Sequence, residues 1–292
     1  MTTIGSGYAG AQGPSVRAHC FADRAELIAA LANRLERALE SAGAGTGPGA
    51  SFAPPSSAGA GAVQDADAGA SVAAGVTASV DAGAGAGTSP GAAVMLSGGS
   101  TPIPAYQALA KRGVQAGAGL VLFYSDDRYV PSDSDASNYH QTRPLVDALA
   151  LPADRVLRVR TELPLAAAAA DYEQRLAALM SGHLRFTLGL LGLGADGHTA
   201  SLFGAPDIAR AEGRHAISVH RPDGRDAVSV TPAVLARIEE LVFVVAGAEK
   251  RTALAALLER RPELTAWRAV SGCKAIEVWA EPEAWPGGSG GA

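Results

Sequence analysis

The stretch Gly192-Leu193-Gly194-Ala195-Asp196-Gly197-His198-Thr199-Ala200-Ser201 sets a carboxylate two residues before an imidazole, with glycines on either side. A histidine titrates near neutral pH, and a neighbouring carboxylate can fix its tautomer, so the pair suits general-base work. Asp196 and His198 are the candidate catalytic residues, and Gly194 lets backbone approach a ligand closely. The stretch also contains a literal G-x-G-x-x-G, which suggests a dinucleotide loop. Against that, Asp and His flank the third glycine, where small packing residues belong. No strand-ending acid lies about 20 residues downstream; the nearest strand-like stretch ends at His220-Arg221. A histidine merely satisfied in the core or at the surface is the alternative.

Three other loops carry groups suited to a small anion. Ser97-Gly98-Gly99-Ser100-Thr101-Pro102 has two glycines, a candidate N-cap in Thr101 and a proline fit for the first helical position. Such a helix start offers N–H groups to a phosphate, although an ordinary tight turn has the same composition. Ser125-Asp126-Asp127-Arg128-Tyr129-Val130-Pro131, followed by Ser137-Asn138, holds a guanidinium able to grip phosphate beside acids able to orient it or to meet sugar hydroxyls. A solvated charged loop is the alternative. Gly247-Ala248-Glu249-Lys250 adds a second cation, or a solvated lysine at a helix start.

Other chemistries lack support. His19, His140, His183, His215 and His220 form no HxH or HExxH spacing, and two distant cysteines, Cys20 and Cys273, offer no metal framework. No metal or cofactor is expected. No G-x-S-x-G elbow is present.

All four loops follow short apolar runs: Ala93–Leu96, Leu120–Tyr124, Phe186–Leu191 and Leu241–Ala246. These runs rarely alternate, as expected of strands covered on both faces. Helical stretches lie between them at Pro102–Lys111, Tyr139–Leu149, Pro164–Ser181 and Glu249–Leu258. The alternation predicts an α/β fold, a mostly parallel sheet flanked by helices, with ligands beyond the carboxyl ends of its strands. Near the start, Val16–Phe21 reads as a strand. Asp23-Arg24-Ala25-Glu26 reads as a capping box opening a helix that runs to about Glu40.

The chain has 292 residues, 48% of them hydrophobic, and a formal net charge of -5. That balance argues against a nucleic-acid binder, although a few cations focused in one cleft can still hold a small anion. Residues 15–284 read as one domain, between a disordered tail at 1–14 and a Gly-rich tail at 285–292. Residues 42–91, rich in Ala, Gly, Ser and Pro, read as a low-complexity flexible insertion. Met1–Ala18 shows no apolar signal core, no apolar run reaches bilayer-spanning length, and two unpaired thiols suit a cytoplasmic protein. A monomer is expected.

Together, LSGGSTP (Leu96–Pro102), SDDRYVPSDSDASN (Ser125–Asn138), LGLGADGHTASLF (Leu191–Phe203) and GAEK (Gly247–Lys250) resemble the 6-phosphogluconolactonase family in order and spacing. The resemblance covers roughly Val16–Glu40 and Ala93–Trp279. It implies a Rossmann-like fold of the glucosamine-6-phosphate isomerase/ribose-5-phosphate isomerase type. The activity implied is hydrolysis of 6-phospho-D-glucono-1,5-lactone to 6-phosphogluconate, the second step of the oxidative pentose phosphate pathway. By motif position, His198 is the implied base with Asp196 as its support. Gly98, Gly99, Ser100 and Thr101 form the implied phosphate loop, and Arg128 and Lys250 are its cations. Asp126, Asn138 and Gly194 complete the implied substrate site, and the implied partner is a phosphosugar lactone.

The chain departs from the family pattern in three places. Asp127 stands where the family usually has Glu. Where the family usually carries a basic residue leading into the strand before Thr231, this chain reads Arg225-Asp226-Ala227-Val228-Ser229-Val230, which gives Arg225 no assigned role. The insertion is not a family feature. A glucosamine-6-phosphate deaminase shares the Asp-Gly-His loop, but its loops typically read Asp-Glu-Tyr and Gly-His-Ile-Ala-Phe-Asn-Glu; Arg128 and Thr199–Phe203 favour the lactonase. A sugar-phosphate-sensing regulator would need a DNA-binding module, and the first 40 residues supply one helix only.

Overall fold

The computed structural model describes residues 2–3, 13–42 and 91–287. Eight strands form the main sheet: β1 (Thr2–Thr3), β2 (Ser15–Cys20), β3 (Ala92–Leu96), β4 (Leu120–Tyr124), β6 (Val156–Leu157), β7 (Arg185–Leu191), β10 (Leu241–Val245) and β11 (Ala275–Ala280). Their spatial order is β1-β2-β11-β10-β7-β3-β4-β6. Every neighbouring pair is parallel except β1 with β2. The expected α/β architecture is therefore present, and the four strand runs fall within a residue of their expected bounds.

Full burial of β3, β4 and β10 explains why their sequences do not alternate. Val94 and Leu96 pack on one face with α1 (Arg24–Glu40), α2 (Ile103–Arg112) and α3 (Asn138–Ala148). Ala93 and Met95 pack on the other with α4 (Leu165–Ser181), α7 (Arg251–Leu258) and α8 (Thr265–Val270). Leu27, Leu31, Leu35 and Ala38 give α1 its buried stripe. Asp23 caps that helix as expected, accepting from the Glu26 N–H at 2.8 Å, while Glu26 reaches back to the Ala22 N–H at 2.6 Å.

A second sheet was not foreseen. Asp126–Arg128, expected to lie in a loop, is β5, and it pairs antiparallel with β9 (Asp226–Val230), which pairs in turn with β8 (Ala216–His220). Strand β5 follows directly on β4, and Asp126, Arg128 and Arg221 of this sheet and its hairpin line a cleft together with the loops that follow the main strands. Two short helices, α5 (Ala205–Arg210) and α6 (Pro232–Leu235), complete the fold. Helix α2 begins one residue later than expected: Pro102, not Thr101, takes the cap position, and no side chain caps it. Pro102 already sits in the helical region at φ -79°, so its carbonyl receives the first N–H groups, from Ala105 and Tyr106. The GAEK stretch forms a single 3₁₀ turn, Ala248–Lys250, before α7.

The expected insertion lies outside the described residues apart from its ends, Ala42 and Gly91, and so does most of both tails. Its two ends meet at one residue. The Gly119 N–H donates to Ala42 O at 3.1 Å, and Gly119 O accepts from Ala92 N–H at 3.1 Å. Within the stretches expected to be tails, Thr2–Thr3 form β1, and half-buried Trp285 packs against the core. No helix among the described residues is long and apolar enough to cross a membrane.

Candidate active site

The loops after β3, β4, β7 and β10 converge on one cleft of about 220 Å³. Gly98, Gly99, Ser100 and Thr101 line one wall; Asp126, Arg128 and Asn138 line the next. Gly194, His198 and Lys250 also line it. Of the charged residues singled out from the four loops, Asp196 and Asp127 do not line the cleft; Asp196 is bonded to the His198 ring.

His198 is held on three sides. Its Nδ1 lies 2.5 Å from Asp196 Oδ1, and its backbone N–H donates to the same oxygen at 3.2 Å. Its ring packs against Phe203, with centroids 4.4 Å apart and planes tilted by 40°. An Nδ1–H donating to a carboxylate leaves Nε2 as the acceptor, the state a general base needs. Burial alone would raise the Asp196 carboxyl, but the hydrogen bonds and charge of His198 outweigh it and hold it below the usual carboxylate range. Gly194 makes this arrangement possible: its N–H donates to His198 O at 2.8 Å, and a Cβ there would overlap His198 Nδ1 and Asp196 Oδ1. Further along the loop, Ala200 takes a left-handed φ of 49°, which costs about 1–2 kcal/mol for a residue with a Cβ. On either side of that kink, Thr199 Oγ1 donates to Gly192 O at 2.8 Å and Ser201 Oγ to Asp126 Oδ2 at 2.6 Å.

Asp126 is buried and accepts at both oxygens, from Ser125 Oγ at 2.8 Å and from Ser201 Oγ. It ties the histidine loop to β5. Asn138 is also buried: its Oδ1 accepts from Arg128 Nη1, and its Nδ2 donates to Asp126 O at 2.8 Å. Gly98 packs against the same amide, where a Cβ would overlap Asn138 Oδ1. Asn138 thus aims the guanidinium beside the glycine loop. Asp127, the shorter acid, turns away from the cleft and caps α3. It accepts from Ser137 Oγ at 3.1 Å, Asn138 N–H at 2.6 Å and Tyr139 N–H at 3.2 Å. Burial pushes its carboxyl up to about 6, partly offset by those donors.

Two cleft residues were missed. Arg221 joins the lining from the end of β8, whereas Arg225 is exposed. The signal was present in the pleat: Ile217, Val219 and Arg221 share a face, and the first two are core. Ser97 also lines the cleft, and its Oγ is buried without a hydrogen-bond partner. No group of three or more His, Cys, Asp or Glu among the described residues could hold a metal ion.

Comparison with known proteins places the chain in a family. Residues 64–277 match the family model described as glucosamine-6-phosphate isomerases/6-phosphogluconolactonase. A 6-phosphogluconolactonase of Synechocystis sp. is 38% identical over 173 residues, 55% of this chain and 69% of that protein. The Homo sapiens 6-phosphogluconolactonase is 34% identical over 184 residues, 59% of this chain and 70% of that protein. The crystal structure of the Thermotoga maritima 6-phosphogluconolactonase superposes with a TM-score of 0.56 at 31% identity, covering 65% of this chain and 84% of that one. With its motifs in order on a shared fold, the chain belongs to the glucosamine-6-phosphate isomerase/6-phosphogluconolactonase family.

Proposed function

We propose that this protein hydrolyses 6-phospho-D-glucono-1,5-lactone to 6-phosphogluconate, the second step of the oxidative pentose phosphate pathway. The observation that carries the reading is the meeting of His198, backed by Asp196, with Arg128 and Lys250 in one cleft. The phosphate does not react, so its binding energy can position the ring. Arg128, Lys250 and the Gly98–Thr101 loop are its anchors. His198 Nε2 removes a proton from water as the oxygen adds to C1. The C1–ring-oxygen bond then breaks, the departing oxygen takes the proton back from the imidazolium, which Asp196 stabilises meanwhile, and the carboxylic acid so formed releases its own proton to solvent. Water is the only co-reactant, and an activated ester needs no metal or organic cofactor for this step.

The relatives named 6-phosphogluconolactonase support the lactone over an amino-sugar phosphate. The unpaired thiols Cys20 and Cys273 suit a reducing cytoplasm, and we take the working unit to be a monomer that binds no nucleic acid. A coupled assay with freshly generated lactone, comparing wild type with His198→Ala, tests the reading. Lactone opening no faster than the spontaneous rate, or ammonia release from glucosamine-6-phosphate, would overturn it.

A further inference from the structure

The mechanism above leaves one cleft guanidinium without a task. Arg221 is the last residue before the β8–β9 turn, and its side chain is only 13% exposed. Three groups hold it. Nη1 donates to Ser201 Oγ at 3.2 Å, Nε lies 3.3 Å from both Asp223 carboxylate oxygens, and Cζ stands 5.1 Å from the centre of the Phe203 ring. Two of these partners belong to the histidine loop itself. Ser201 is three residues past His198, and Phe203 is the ring against which His198 packs. Arg128 hangs elsewhere, from Asn138 beside Gly98. The cleft therefore has one guanidinium attached to the histidine loop and another beside its glycine loop.

Resting on the proposed lactone hydrolysis, we infer that Arg221 binds the C1 oxygens of the substrate. The base must sit next to C1, because it delivers water there. A negative charge develops on the carbonyl oxygen as water adds, and a full carboxylate remains on that carbon in the product. The phosphate lies at the far end of the hexose. A guanidinium tied to the loop that carries the imidazole, and lining the same cleft, can meet the first anion, and the planar fork of arginine suits a carboxylate. A cation fixed in place before the charge appears stabilises the transition state more than the ground state. Asp223 accepts through long contacts and is itself half-exposed, so it orients the guanidinium without closing off its remaining N–H groups.

The test separates the two ends of the ligand. Binding of 6-phosphogluconate is compared with that of glucitol 6-phosphate, which keeps the phosphate and chain but has a hydroxymethyl group at C1. Arg221→Ala is expected to lower kcat about 10²-fold and to weaken 6-phosphogluconate at least tenfold, with glucitol 6-phosphate unchanged. Arg128→Ala weakens both ligands alike and acts mainly on KM. Arg221→Lys recovers part of kcat, and Arg225→Ala, on the exposed side of the same hairpin, behaves as wild type. Equal weakening of both ligands in Arg221→Ala, as a phosphate contact or a damaged fold would give, overturns the inference, and so does an unchanged kcat. Wild-type protein that neither opens the lactone nor binds 6-phosphogluconate overturns the underlying reading, and the inference falls with it.

Discussion

His198 and Asp127 are both charged-group chemistry, yet their surroundings give them opposite tasks. The imidazole lines the cleft with Nδ1 committed to Asp196, so its other nitrogen is free to take a proton. General-base catalysis contributes about 10²–10⁴-fold, and His198→Ala is expected to lose that much kcat while still binding product. Turnover close to wild type, after correction for spontaneous opening, would reject the role. Asp127 is buried with its donors on the α3 side, and its carboxyl sits at about 6 against an ordinary 3.8. The folded chain therefore takes up this proton before the unfolded chain does. Above about pH 6 the buried charge costs stability. As pH falls from about 6 to about 4 that cost is relieved, by about 3 kcal/mol at most, since each tenfold difference in proton affinity is worth about 1.4 kcal/mol. Relative to Asp127→Asn, wild type should gain stability over that acid window, read from urea midpoints at each pH. A wild type that instead loses ground to the variant on acidification would disprove the assignment.

At the level of loops and strands, the site depends on backbone passing where side chains cannot. Gly194→Ala is expected to fold normally and to lose about 10²-fold in kcat, because a Cβ there drives His198 and Asp196 apart and a misplacement of about 1 Å has that effect. Retained activity would show that the dyad tolerates displacement. The loops themselves were legible because each follows a run of residues buried on both faces, and such runs advertise themselves by failing to alternate. The second sheet was not legible. Strand β5 is three residues long, and its partner β9 lies about a hundred residues further on, so no local pattern announces the pairing. Arg221 sits at the β8–β9 hairpin of that sheet, outside the four loop motifs, which is why those motifs announce only two of the three cations in the cleft. Thr101 as a helix cap failed for a different reason: two adjacent residues were both fit to start the helix, and only the backbone angle of Pro102 decides between them.

For the molecule as a whole, the sheet has a working end and a joining end. The cleft lies past the carboxyl ends of β3 and β7, while residues 43–90 depart and return at the amino end of β3, where Ala42 and Ala92 both bond to Gly119. Deleting Gly43–Ser89 is therefore expected to leave kcat and Tm nearly unchanged. A large loss of either would show that the segment takes part in the fold or the site. The shared anchor at Gly119 has a further consequence. Residues 13–42 are docked by the β2–β11 ladder and by the leucines of α1. A polypeptide severed anywhere between Gly43 and Pro90, or supplied as two separately translated halves, should still assemble into a functioning whole, detectable as co-purification of the halves with lactone-opening activity.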